Sequence, residues 1–224
     1  MYGFGPVVDG AALPTHPFAE DSIALTTQVP VLVGTNRDEM TMFFGADKRV
    51  GRISKGLIVA FLAPSTGRPV ARELVDRYSA ADPDRSPGHT FIAIGTDLVM
   101  RRGSVRIAER RLAAGGGPTY VYEFHWPTPA LDGLLGATHA LEICFVFDNV
   151  HAAPGLIPAG SYPPDLAAQM SEAWIAFARS GDPSHPDLPD WPAYDADERA
   201  TMIFDESCSL ASDPPGALRE AWPE

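Results

Sequence analysis

Residues 29–35, Val-Pro-Val-Leu-Val-Gly-Thr, constrain the fold more than any other stretch of this sequence. They form a near-continuous apolar, β-branched run without polar alternation. Such a run reads as a strand covered on both faces, the situation inside a parallel sheet. Parallel neighbours need crossover connections long enough to hold a helix, so helices are expected between the strands. Residues 68–80 place Val70, Leu74, Val75 and Tyr78 on one stripe, the pattern of an amphipathic helix. Residues 90–114 read as a longer helical region, interrupted at Arg102-Gly103-Ser104 and stopped by Gly115-Gly116-Gly117-Pro118. Residues 119–126, Thr-Tyr-Val-Tyr-Glu-Phe-His-Trp, read as a second strand. Leu166, Met170, Trp174 and Phe177 mark a further helix, with Asp165 placed to cap it and Gly181 to end it, and residues 201–204 read as a short last strand. Strands separated by helices imply an α/β fold with a mostly parallel sheet flanked by helices. Three strands are few for 224 residues, so part of the sheet is expected to lie elsewhere.

Charge narrows the function classes. The chain carries 17 Lys and Arg against 29 Asp and Glu, a net charge of −12. A nucleic-acid partner needs a basic face to neutralise phosphates, and an anionic membrane surface needs the same, so neither is expected. No window approaches 18 consecutive apolar residues, so no membrane span is expected either. Residues 1–6 show neither the basic nor the apolar region of a signal peptide, which from this start leaves a cytoplasmic chain as the default expectation. Cys144 and Cys208 make at most one bridge. The histidines lack ligand-like spacing, so no metal site is expected.

Two residues stand where chemistry gathers in open α/β sheets, just outside the carboxyl ends of strands. Glu39 follows the first strand in Gly34-Thr35-Asn36-Arg37-Asp38-Glu39. Spacing alone also fits Asp38 and Glu39 as a solvated loop pair. His139 follows the second strand after a Gly- and Pro-rich loop. An imidazole there can take and return a proton near neutral pH, although spacing alone equally fits a surface or core histidine.

These residues resemble a known family. Gly34-Thr-Asn-Arg-Asp-Glu39 resembles the segment carrying the acid of the catalytic triad in type-B carboxylesterases, α/β-hydrolase enzymes that include para-nitrobenzyl esterases and cholinesterases. His139-Ala-Leu-Glu-Ile-Cys-Phe-Val-Phe147 resembles the segment carrying their histidine. Phe4-Gly-Pro-Val-Val-Asp-Gly10 with Leu13-Pro14, Phe177-Ala-Arg-Ser-Gly-Asp-Pro183, and Trp191-Pro-Ala-Tyr194 with Arg199-Ala-Thr-Met202 resemble further family stretches in the family's order. The resemblance covers nearly the whole chain. It implies Glu39 as acid and His139 as base, in the fold's order of Ser, acid, His. It also implies Glu142 as a carboxylate supporting the site from behind, and Met42 and Phe43 as walls of a substrate gorge. Glu142 fits an ordinary loop carboxylate, and Met42 and Phe43 fit plain core residues. The implied substrate is a small carboxylic ester, and no cofactor is implied. Met40 departs from the glycine that many members carry after the acid. Cys144 departs from a proline, and its apolar surroundings predict a buried, inert thiol.

The family's nucleophile sits on a G-x-S-x-G elbow. No serine of this chain has glycine at both −2 and +2: Ser54 has Gly56 but Arg52, and Ser104 follows Gly103 directly. Gly115–117 imitates the oxyanion loop in composition but follows a helix, so it reads as a helix stop. The resemblance therefore implies residues 1–224 as the C-terminal part of one carboxylesterase domain. Its N-terminal half would supply the serine, the oxyanion donors and the strands against which residues 29–33 and 120–124 pair. The expectation is a chain inactive alone. The alternative is a non-catalytic interaction module or truncated product derived from an esterase.

Overall fold

The computed structural model describes residues 5–214 and 216–222; Phe4 of the first resemblance segment lies outside them. In chain order the elements are α1 (Glu20–Ala24), β1 (Val31–Asn36), α2 (Thr41–Phe44), α3 (Lys55–Thr66), α4 (Arg68–Ala81), α5 (Pro87–Thr96), α6 (Arg102–Ala113), β2 (Thr119–Phe124), α7 (Ile143–Val146), α8 (Leu166–Ser180), β3 (Ala200–Phe204), β4 (Ser209–Ser212) and α9 (Gly216–Glu220). The four strands form one sheet in the order β1-β2-β3-β4. β1, β2 and β3 run parallel, and β4 returns antiparallel to β3. Register aligns Asn36 with Phe124 and Phe124 with Phe204. The three parallel strands therefore end at one level, and the loops that follow them share one rim.

Alternation along the strands assigns the two faces. Tyr120, Phe124, Met202 and Phe204 belong to the main core with Leu166, Met170 and Ala173 of α8 and Phe145 of α7. Aromatic edges fill it: Tyr122 meets Trp174 at 5.0 Å between ring centroids, and Phe124 meets Phe145 at 5.2 Å. On the opposite face Val121 packs with Ala108 of α6 and with Tyr194. A separate helical cluster joins Ile58, Leu62, Leu74, Val75 and Tyr78 under Trp222. Truncating a fully buried aromatic such as Phe204 to alanine costs about 3–5 kcal/mol.

Several expectations need correction. β1 is not covered on both faces: Val31, Leu32, Val33 and Gly34 are only half-buried, and Val29 is exposed. β1 also lies at the sheet margin, where among the described residues no strand pairs with its outer edge. β2, expected to pair with strands of another segment, is flanked on both sides by strands of this same chain. The interruption of the long helix is a π-helical turn, Asp97–Arg101, and Gly103 lies within regular α6. A π turn re-aims side chains without ending a helix. Here Asp97 accepts from the Tyr78 hydroxyl, and Arg101 pairs with Asp97 and with Glu123 of β2 (3.0 Å). Asp165 occupies the cap position of α8, but its side chain makes no capping hydrogen bond. Gly181 ends α8 in the left-handed conformation, as expected.

Candidate active site

The site starts from a strand end. Arg37 continues the β1–β2 ladder by donating its amide to Phe124 O (2.9 Å), and the chain then turns through residues 37–40 into α2. The turn folds Glu39 back over the strand it follows, so that Glu39 Oε1 accepts the Asn36 amide at 2.8 Å. Glu39 is only 6% exposed. A carboxylate removed from water to that extent needs hydrogen-bond partners, and the second partner is the site's central feature. His139 Nδ1 donates to Glu39 Oε2 at 2.6 Å. The two residues are 100 positions apart in sequence and belong to loops after neighbouring parallel strands.

The loop between β2 and α7 is shaped to bring His139 there. Gly136 is left-handed (φ 57°), and a Cβ on it would lie 2.5 Å from Asp38 Oδ2. The absence of a side chain lets Asp38 accept the Ala137 amide (2.9 Å) while its own amide donates to Ala137 O (3.0 Å). Thr41 Oγ1 lies 2.9 Å from Thr138 Oγ1 and 2.5 Å from Leu135 O. Ala140, next to His139, also sits at positive φ (64°), a conformation costing about 1–2 kcal/mol for a residue with a Cβ. The surrounding bonds hold that strained residue beside the imidazole.

Burial is unequal across the pair. The His139 side chain is 41% exposed against 8% for Glu39, so the imidazole is the outer member. With Nδ1 committed to the carboxylate, Nε2 carries the free lone pair of the neutral ring. Among the described residues Nε2 has no hydrogen-bond partner. Phe43 lies beside it, ring centroids 5.5 Å apart, and both Phe43 and Met42 are exposed at the same rim. Met40 has ordinary right-handed backbone (φ −79°, ψ −5°), so no glycine is needed after Glu39, and its side chain rests on Gly95.

Glu142 lies behind the pair and contacts Asn36 directly: Glu142 Oε2 accepts from Asn36 Nδ2 at 2.5 Å. Burial pushes the Glu142 carboxyl above the ordinary range, and the negative charge of Glu39 adds to this against the pull of the Asn36 bond. Cys144 is half-buried rather than buried as expected; its partial burial, with Glu142 nearby, still pushes the thiol up, so it has little thiolate character, and both cysteines are free. Sequence reasoning missed Asn36, Asp38, Thr41 and Thr138, which tie the two loops together. Among the described residues no three His, Cys, Asp or Glu side chains converge as a metal site requires, and no helix is long and apolar enough to cross a membrane.

A buried carboxylate orienting an outward-facing imidazole at the carboxyl rim of a parallel sheet is the acid–base geometry of an esterase-type triad. The model of the carboxylesterase family matches residues 1–214. The chain belongs to the carboxylesterase family. This carboxylesterase chain is 34% identical to phenmedipham hydrolase of Pseudarthrobacter oxydans, over 94% of the chain and 42% of that protein. It is 31% identical to para-nitrobenzyl esterase of Bacillus subtilis, over 97% of the chain and 42% of that protein. A carboxylesterase of Geobacillus stearothermophilus superposes with a TM-score of 0.82 at 32% identity, over 98% of the chain and 46% of that structure. The fold is thus a portion of the α/β-hydrolase fold, and the chain spans less than half the length of these relatives.

Proposed function

We propose that residues 1–224 are the C-terminal part of a single carboxylesterase domain and supply its acid, Glu39, and its base, His139. In this reading the nucleophilic serine and the oxyanion donors come from a polypeptide segment outside this sequence. The observation that carries it is the 2.6 Å bond from His139 Nδ1 to Glu39 Oε2, with Nε2 left open at the rim.

The chemistry follows from that bond. Glu39 fixes the tautomer with the proton on Nδ1, so Nε2 can accept the proton of a serine hydroxyl as it attacks a carboxylic ester. The imidazolium formed is stabilised by the buried carboxylate, and Nε2 then returns the proton to the departing alcohol. Water repeats the sequence to release the acid. Phe43 and Met42 offer an apolar wall beside Nε2 for the organic part of a small ester, the class to which a para-nitrobenzyl ester belongs. A non-catalytic module would need neither the buried acid nor the imidazole oriented by it.

The magnitude of the missing part is severe, since loss of the serine alone costs on the order of 10⁶ in kcat in a protease. The chain by itself is therefore expected to hydrolyse no ester above imidazole background. The test is turnover of p-nitrophenyl butyrate by the chain co-expressed with the serine-elbow half of the family. Glu39→Ala and His139→Ala should each abolish it. Full activity in either variant would remove the proposed roles.

A further inference from the structure

Asn36 is 1% exposed and uses its donors on three groups of the site. Its backbone amide donates to Glu39 Oε1 at 2.8 Å. Its side-chain Nδ2 donates to the carbonyl of Thr138, the residue before His139, at 2.6 Å and to Glu142 Oε2 at 2.5 Å. A carboxamide nitrogen has two hydrogens, so both are committed. The amide orientation is fixed by chemistry, because the Thr138 carbonyl can only accept. Asn36 Oδ1, by contrast, is buried and has no hydrogen-bond partner among the described residues. The contacts that asparagine makes at this position are those of the donor half of its amide.

From this geometry we infer that Asn36 is a positioning residue for the acid–base pair, a single side chain that fixes the His139 loop against the Glu39 turn and against Glu142. It touches neither Nδ1 nor Nε2 and acts through the peptide that carries the imidazole. Asp38 and Thr41 clamp the same loop at Leu135, Ala137 and Thr138. Asn36 holds the carbonyl immediately before the histidine and is the contact that also engages Glu142. The inference rests on Glu39 and His139 being the acid and base.

The experiment compares wild type with Asn36→Ala, Asn36→Asp and Asn36→Asp/Glu142→Gln, with circular dichroism to establish folding. Aspartate keeps the shape but sets an acceptor against two acceptors; in the double variant the carboxamide introduced at position 142 donates back across that one contact, while the Thr138 carbonyl still faces an acceptor. In the chain, the low-field Nδ1 proton of His139, assigned by its loss in His139→Ala, should be present in wild type. It should be lost in both single variants and stay lost in the double, which restores the contact at position 142 but not the one to the Thr138 carbonyl. In the esterase pair co-expressed as above, the single variants should lose about 10–100-fold in kcat, as a sub-ångström to 1 Å displacement does, with KM within about twofold. An unchanged Nδ1 proton and unchanged kcat in folded single variants would overturn the inference. If the single variants do not fold, a folded double variant that keeps the Nδ1 proton overturns it, since it lacks the donor to the Thr138 carbonyl. If Glu39→Ala and His139→Ala leave turnover intact, or wild type shows no such proton, the acid–base reading itself has failed.

Discussion

Gly136→Ala tests the loop clamp that brings His139 to Glu39. The added Cβ would sit 2.5 Å from Asp38 Oδ2, 3.1 Å from its Cγ and 3.4 Å from its Cβ, at a backbone φ of 57°. The left-handed conformation alone costs about 1–2 kcal/mol. Relieving the clash requires Asp38 to swing away and give up the Ala137 amide at 2.9 Å. A hydrogen bond to a charged acceptor is worth about 1.5–3 kcal/mol, and the lower end applies because the Asp38 side chain is 29% exposed. The total is about 2.5–4 kcal/mol, which for a chain of this length lowers Tm by roughly 5–15 °C. Gly133→Ala is the control: it has φ 76° with nothing within 4 Å of the added carbon, so only the conformational cost of about 1–2 kcal/mol applies. Urea unfolding followed by circular dichroism gives both values. In an Asp38→Ala background the excess cost of Gly136→Ala should vanish, a double-mutant cycle that isolates the contact. Equal costs at Gly133 and Gly136, or an excess that survives Asp38→Ala, would show that the Asp38 contact does not constrain Gly136.

Two further outcomes follow from groups wholly or partly withdrawn from water. Glu123 is pushed up by burial, but the Arg101 guanidinium and His125 outweigh this and hold its carboxyl below the usual glutamate range. A depressed carboxylate adds stability that is fully present above its unfolded pKa and is lost as pH falls through the folded value. Glu123→Gln should therefore be less stable than wild type at pH 7, with the gap closing as pH falls below about 4.3; a constant gap from pH 7 to 3 in urea midpoints would contradict this. Burial pushes the Cys208 thiol up to about 11, and the Cys144 thiol is raised as well. Both should react with a disulfide reagent at pH 8 far more slowly in the native chain than after denaturation, and rapid stoichiometric labelling of the native chain would contradict it.

Which parts of the fold the sequence reveals depends on which forces are local. α4 and α8 carry their buried faces as 3.6-residue stripes, and β2 and β3 as compact apolar runs, so each is visible before any tertiary contact forms. α3 is not, because its apolar residues surround the helix: Ile58, Val59 and Leu62 are buried while Leu57 and Phe61 are exposed, and Pro64 lies inside it. β4 is short and mostly exposed and exists through antiparallel pairing with β3. The π turn at residues 97–101 depends on Tyr78 and Glu123, partners distant in sequence. The positions of Glu39 and His139 after strands were legible, as was their resemblance to the acid and histidine segments of the family. The bonds of Asn36 were not, since Thr138 and Glu142 lie 102 and 106 residues away and only the folded loop brings them near.

In the proposed function this chain supplies an acid and a base, and the nucleophile comes from a segment outside it. Hydrolysis of p-nitrophenyl butyrate by the purified chain alone, by the serine-elbow half alone, and by the two co-expressed tests it most directly. Turnover confined to the co-expressed pair, and absent from that pair when His139 is alanine, is the predicted result. Turnover by the chain alone, or a co-expressed pair that assembles yet remains inactive, would contradict it.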